Sequence, residues 1–85
     1  MLGLGFAASM LLTSAPLGQK VEILCLPKHS GLQNRLLSMG IRPGSTIQII
    51  RRGTPGNILH LSNGILEFML REDQAKEIEI KPIED

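Results

Sequence analysis

The sequence predicts a mainly β domain: a small, strongly bent barrel of five short strands with one short α-helix between the first and the second. Three observations carry this reading. Apolar residues alternate in several short runs, and turn-forming Gly, Pro or Asn-Gly closes most of them. One run alone, from about residue 31 to 39, changes to helical spacing. A chain of 85 residues has room for one domain with a small core. At 42% hydrophobic and 20% charged residues it has a folded, not a disordered, composition.

The chain opens on an apolar stretch, Met1 to Leu12. It has no basic leader and no evident cleavage site, and it is too short to span a bilayer. Leu2, Leu4 and Phe6 alternate with small residues, which predicts an extended segment with one apolar edge. Residues 7–12 could instead form a helical turn. An apolar extension of this kind marks an interface, so residues 1–11 are expected to pack on the barrel or on a second copy of the chain. Homo-oligomerisation through residues 1–12 follows as an expectation, and direct membrane insertion does not.

Thr13 to Gly18 reads as a turn-like lead-in. Gln19 to Leu26 is the first strand, with Val21, Ile23 and Cys25 on one face and Pro27 at its end. Ser30-Gly31-Leu32-Gln33 has the form of a capping box, with Ser30 as N-cap and Gln33 reaching back. The helix runs from Gly31 to about Met39, with Leu32, Leu36 and Met39 as its buried stripe. Gly40 supplies the positive φ that stops it, and Ile41 can touch Leu36 in a Schellman ending. Pro43-Gly44 suits the centre of a type II turn.

The remainder is a meander. Thr46 to Arg52 is a strand and residues 53–57 a loop, with Pro55-Gly56 again suited to a type II turn. Ile58 to Leu61 is a short strand. Asn63-Gly64 favours a type I′ hairpin turn, after which Ile65 to Leu70 returns with Leu66, Phe68 and Leu70 on one face. Arg71 to Lys76 makes one helical turn. Glu77 to Lys81 is the last strand, with Ile78 and Ile80 inward, and residues 82–85 form a tail.

Composition narrows the functions open to this chain. The net charge is +1, and the only aromatic residues are Phe6 and Phe68. Single-strand nucleic-acid binders stack bases on aromatic rings, and readers of proline peptides need an aromatic groove. No nucleic acid is expected as a partner, although residues 23–66 hold five basic residues and no acidic one. That segment suggests a basic docking face, whereas seven of the acidic residues lie from Glu67 onward. The single cysteine, Cys25, cannot form an internal disulfide and points with Val21 and Ile23 toward the core. It reads as a structural thiol in a reducing, cytoplasmic compartment.

No catalytic constellation is present, so the chain does not read as an enzyme. The loop at residues 53–57 lacks the Lys-Ser/Thr of a phosphate-binding loop. Cys25, His29 and His60 are the only candidate metal ligands, and their placement argues against a specific site. No cofactor is expected. What remains is a surface around the end of the helix and the following turn: Arg35, Met39, Arg42 and Pro43. Gly40, Pro43, Gly44, Asn63 and Gly64 read as structural turn residues.

Taken in order, these elements resemble the FeoA family. The lead-in Leu12 to Gly18 is similar to its opening. Arg35, Leu36, Met39, Gly40, Ile41, Pro43 and Gly44 match its central Arg-Leu-x-x-(Leu/Met)-Gly-(Leu/Ile)-x-Pro-Gly, and residues 71–78 resemble its ending. The resemblance covers roughly residues 12–81 and implies a five-stranded SH3-like barrel. It implies a cytoplasmic, non-enzymatic accessory protein of bacterial ferrous iron uptake. The implied partner is the GTPase domain of a FeoB-type membrane transporter, whose transport the protein would modulate. A transition-metal sensor or carrier, and less a nucleic-acid-binding module, are the alternatives. The apolar residues before Leu12 lie outside the family pattern. Ile65-Leu66 and Phe68-Met69-Leu70 are more apolar than that pattern, so both faces of this strand are expected to be buried, with the extension as cover.

Overall fold

The computed structural model describes residues 9–53 and 57–83. Six strands form one antiparallel sheet: β1 (Met10–Leu11), β2 (Lys20–Cys25), β3 (Thr46–Gly53), β4 (Ile58–Ser62), β5 (Glu67–Arg71) and β6 (Glu79–Pro82). Their order across the sheet is β1-β6-β2-β3-β4-β5. Helix α1 (Ser30–Ser38) joins β2 to β3, and the single turn α2 (Glu72–Ala75) joins β5 to β6. A 3-10 turn at Leu12–Ser14 packs against α2. The mainly β expectation holds, with six strands where the sequence suggested five. The extra strand comes from the apolar extension: Met10 and Leu11 pair with Ile80 and Glu79. Leu12 has no exposed surface and belongs to the core, so at least the end of the extension packs on its own barrel.

The core follows from alternation along the strands. Val21 and Ile23, Ile47 and Ile49, Leu59 and Leu61, and Phe68 and Leu70 all face inward, where Leu32 and Leu36 of α1 and Ile78 and Ile80 meet them. Each fully buried Leu or Ile contributes roughly 1.5–3 kcal/mol. Among the described residues no polar or charged side chain is fully buried, so this interior is apolar throughout.

The stop of α1 has the expected geometry. The Ile41 amide donates to the Leu36 carbonyl at 2.9 Å and the Gly40 amide to the Leu37 carbonyl at 3.0 Å, the paired bonds of a Schellman ending. Gly40 has a φ of 80°. The next turn is closed by the Ser45 amide on the Arg42 carbonyl at 2.9 Å, with Gly44 at a φ of 95°.

The start of α1 differs from expectation. The N-cap is His29, whose Nδ1 accepts from the Leu32 amide at 3.2 Å. Ser30 is already helical, so it cannot cap, and Gln33 donates to the Pro27 carbonyl at 3.1 Å instead. The imidazole nitrogen reaches the orphan amide that a serine hydroxyl would otherwise take.

The strand alternation also breaks once. A β-bulge in β2 shifts the register between Ile23 and Cys25. The extra residue inverts the faces beyond it. Cys25, expected in the core, is therefore exposed.

The β4–β5 hairpin is not type I′. That turn needs positive φ at both central residues, and Asn63 is not among the positive-φ residues, whereas Gly64 stands at 96°. The central pair is Gly64-Ile65, and β5 begins at Glu67. The hairpin is two residues longer than Asn63-Gly64 alone would make it. Ser62 pairs with Glu67, not with Ile65. Phe68 and Leu70 keep their inward face, but Leu66 is exposed, and Met69 on the outer face is 58% exposed. Burial of both faces of this strand does not occur. The extended run expected at Leu2–Phe6 and the turn at Pro55-Gly56 lie outside the described residues.

Two outcomes test this architecture. A Cβ on Gly40 would meet nothing within 4 Å, so its requirement is conformational only. Gly40→Val should cost more than about 1 kcal/mol in urea unfolding, because a β-branched residue is strained at positive φ. Leu12→Ala should cost about 2–5 kcal/mol, whereas a value below about 1 kcal/mol would detach residue 12 from the core.

Candidate functional site

Helix α1 places its apolar stripe inward and its flanks outward. Arg35 lies on one flank, in the last turn. Its Nη2 donates to the Met69 carbonyl of β5 at 3.2 Å. The space between α1 and the β5–α2 segment is an open groove of about 340 Å³, lined in part by His29, Arg35, Arg71, Asp73 and Glu77. Charges of both signs meet there, and Arg71 Nε already donates to Asp73 Oδ1 at 3.3 Å. The groove is thus a polar seam between elements.

Arg42 and Pro43 sit on the turn that follows the helix, and both are exposed. The turn is fixed from two directions. Within it, the Arg42 amide donates to Ser45 Oγ at 3.0 Å. Across it, the Gly44 amide donates to the Ile23 carbonyl at 2.8 Å, and the Ile23 amide donates to the Ser45 carbonyl at 2.9 Å. Both peptide groups of Ile23 therefore hold the turn against β2. The Arg42 guanidinium makes no hydrogen bond or ion pair among the described residues. Met39 is half-buried and packs against the core. The four residues expected to form one surface thus divide: Arg35 lines the groove beside β5, Arg42 and Pro43 crown the turn, and Met39 links helix to core.

The candidate metal ligands are placed separately. Cys25 ends β2, His29 caps α1 through its ring nitrogen, and His60 lies on the outer face of β4. Among the described residues no group of three or more His, Cys, Asp or Glu side chains could hold one ion. His60 has a partner that sequence proximity did not suggest. Its Nε2 lies 2.9 Å from Glu67 Oε1, and Arg51 Nη2 lies 3.5 Å from its Nδ1. A neutral imidazole with its proton on Nε2 satisfies both neighbours, donating to the carboxylate and accepting from the guanidinium. The hairpin brings Glu67 there, so only a correct register could have revealed the pair. Arg52, by contrast, donates to the Ala15 carbonyl and fastens the lead-in, which is a structural duty. The basic residues of the segment 23–66 therefore do not act as one patch.

Because Cys25 is exposed, it should react with an aromatic disulfide reagent in the native protein, about one thiol per chain without denaturant. Reaction only after unfolding would return it to the core.

No helix among the described residues is long and apolar enough to cross a membrane. No match is found among curated proteins. The FeoA domain family matches residues 10–82. Among solved structures, the chain is similar to an iron uptake regulatory protein (FeoA), with TM-score 0.75 and 22% identity over 89% of this chain and all of the other. It is similar to the FeoA protein from Chlorobium tepidum, with TM-score 0.82 and 17% identity over 88% of this chain and 71% of the other. It also resembles iron(II) transport protein A from Clostridium thermocellum, with TM-score 0.78 and 27% identity over 87% of this chain and 46% of the other. These likenesses establish the SH3-like fold, and the family match extends over most of the chain. The chain therefore belongs to the FeoA domain family, whose members are non-catalytic accessory proteins related to ferrous iron transport.

Proposed function

We propose that this protein acts in the cytoplasm as a docking module on the GTPase domain of a FeoB-type ferrous iron transporter and modulates transport through that contact. The observation that carries this reading is the turn at residues 42–45. It presents an exposed cation, Arg42, beside Pro43 on a backbone fixed both within itself and to β2. A fixed turn loses little conformational freedom on binding, which favours recognition. Arginine is enriched at protein interfaces, and Arg35 on the same helix–turn segment offers a second cation, whose guanidinium bonds only a backbone carbonyl among the described residues.

The partner should therefore present carboxylates toward the end of α1 and the turn. Contact there would act by steering and orientation. An effect on the nucleotide cycle would come from holding one conformation of the GTPase domain in preference to another.

The test is a calorimetric titration against the GTPase domain of the transporter from the same organism, loaded in turn with GDP and with a GTP analogue. Arg35→Glu with Arg42→Glu should weaken binding about tenfold or more and leave the thermal midpoint within a few degrees of wild type. Unchanged affinity in the double variant would remove this face from the contact.

A further inference from the structure

The tip of the β4–β5 hairpin breaks the ordinary rule for turns. Turn and hairpin-loop positions are dominated by Gly, Pro, Asn, Asp and Ser. Here the residue after Gly64 is Ile65, a β-branched aliphatic side chain that is 97% exposed. Nothing in the fold needs it there, since it contributes no core contact. A local choice that opposes turn chemistry without structural gain marks a functional position.

The loop that carries Ile65 is held in place by side chains. Asn63 Oδ1 accepts from the Ile65 amide at 2.9 Å and from the Leu66 amide at 2.7 Å. Ser62 Oγ accepts from the Gly64 amide at 2.9 Å. The Asn63 amide donates to the Leu66 carbonyl at 3.1 Å. Every backbone amide from Asn63 to Leu66 is thus satisfied inside the tip. The aliphatic group projects into solvent from a loop that has little freedom left to lose.

The tip also has charged surroundings and a definite place on the barrel. A groove of about 280 Å³ beside it is lined in part by Lys20, Thr46, Gln48, Asn63 and Gly64. Lys20 forms no ion pair among the described residues. Thr46, the first residue of β3, follows directly on the turn at residues 42–45. The base of the Ile65 tip and Lys20 therefore share one groove, and the Arg42 turn leads into the strand that lines it. The tip offers the Ile65 side chain with the part-exposed Leu66 beside it; Lys20 lines the neighbouring groove, and the acidic residues nearest the tip are already paired, Glu67 with His60 and Glu22 with Lys81.

We propose that Ile65 is the apolar anchor of the docking surface: it enters a small aliphatic pocket of the partner protein, and carboxylates at the rim of that pocket face Lys20 and Arg42. The proposal rests on the docking reading above and names the contact that dominates it. Interfaces concentrate their affinity in a few buried anchors ringed by polar contacts, and a preorganised loop lowers the cost of seating one. A single protruding side chain suits a pocket better than a bilayer, where one aliphatic group gives little hold.

The experiment compares full-length wild type with Ile65→Ser and Ile65→Val in titrations against the same GTPase domain, with sedimentation and vesicle flotation of each protein alone. The vesicles contain phosphatidylglycerol and phosphatidylethanolamine. Ile65→Ser should bind about tenfold or more weakly, with an unaltered melting temperature, and Ile65→Val should stay within about threefold of wild type. Equal binding by wild type and Ile65→Ser would overturn the anchor and leave the docking reading intact. Absence of binding by wild type would overturn both. A dimer or a vesicle-bound form that Ile65→Ser abolishes, with binding to the domain unaffected, would overturn the anchor by assigning Ile65 to a second copy or to lipid.

Discussion

The fold depends on the way the α1–β3 connection is fastened to the middle of β2. Ile23 donates to the Ser45 carbonyl and accepts from the Gly44 amide, so a turn takes the place of a partner strand at that point. The helix can arrive there only because Gly40 reverses the chain within one residue, and the turn can present its amide only because Gly44 adopts positive φ. Beyond this fastening β2 bulges against β6, while β3 pairs with its first half. Curling around an apolar interior follows from the bend at the bulge.

The same constraint explains why the surface at the helix end is well defined although it belongs to a loop. Loops that carry recognition residues are normally positioned by a rigid scaffold. Here the scaffold reaches into the loop through backbone bonds on both sides. Arg42 and Pro43 inherit their position from a peptide group in the core strand. Arg35 inherits its position from the helix and from the free edge of β5, whose Met69 carbonyl it covers. Covering an edge carbonyl with a charged side chain also discourages pairing with other strands.

Much of this was legible in the sequence because it is written locally. The end of α1 needs only Gly40 and its neighbours, and the turn only Pro43 and Gly44. The inward alternation of Ile47, Ile49, Phe68 and Leu70 needs only period two. What could not be read there depends on contacts between distant segments. The pairing of Met10 and Leu11 with β6 joins the two ends of the domain. The bulge that turns Cys25 outward is a register shift against Ile80 and Glu79, near the far end of the chain. The cap moves from Ser30 to His29 because the helix begins one residue earlier than the capping-box pattern implies. The hairpin shows how a local misreading can be harmless in one respect and costly in another. Shifting the register by two residues keeps parity, so Phe68 and Leu70 still face inward. It nonetheless moves Ile65 from a strand to the exposed tip, and so hid the residue that now draws attention to that end of the barrel. The surface residues were named from the sequence, but their division between groove and turn required the fold.

The pairing of β1 with β6 has a consequence for how this domain can be used. The first and last strands lie side by side, Met10 opposite Ile80, so the points where the chain enters and leaves the barrel are neighbours. A unit with adjoining ends can be joined in tandem, or set into a loop of a larger protein, without stretching its host. The similar chain from Clostridium thermocellum, of which this domain covers 46%, has length to spare beyond one such unit. The geometry of one short strand pair therefore makes the barrel a portable part, able to be carried by any chain that can accommodate a narrow pair of entry and exit points.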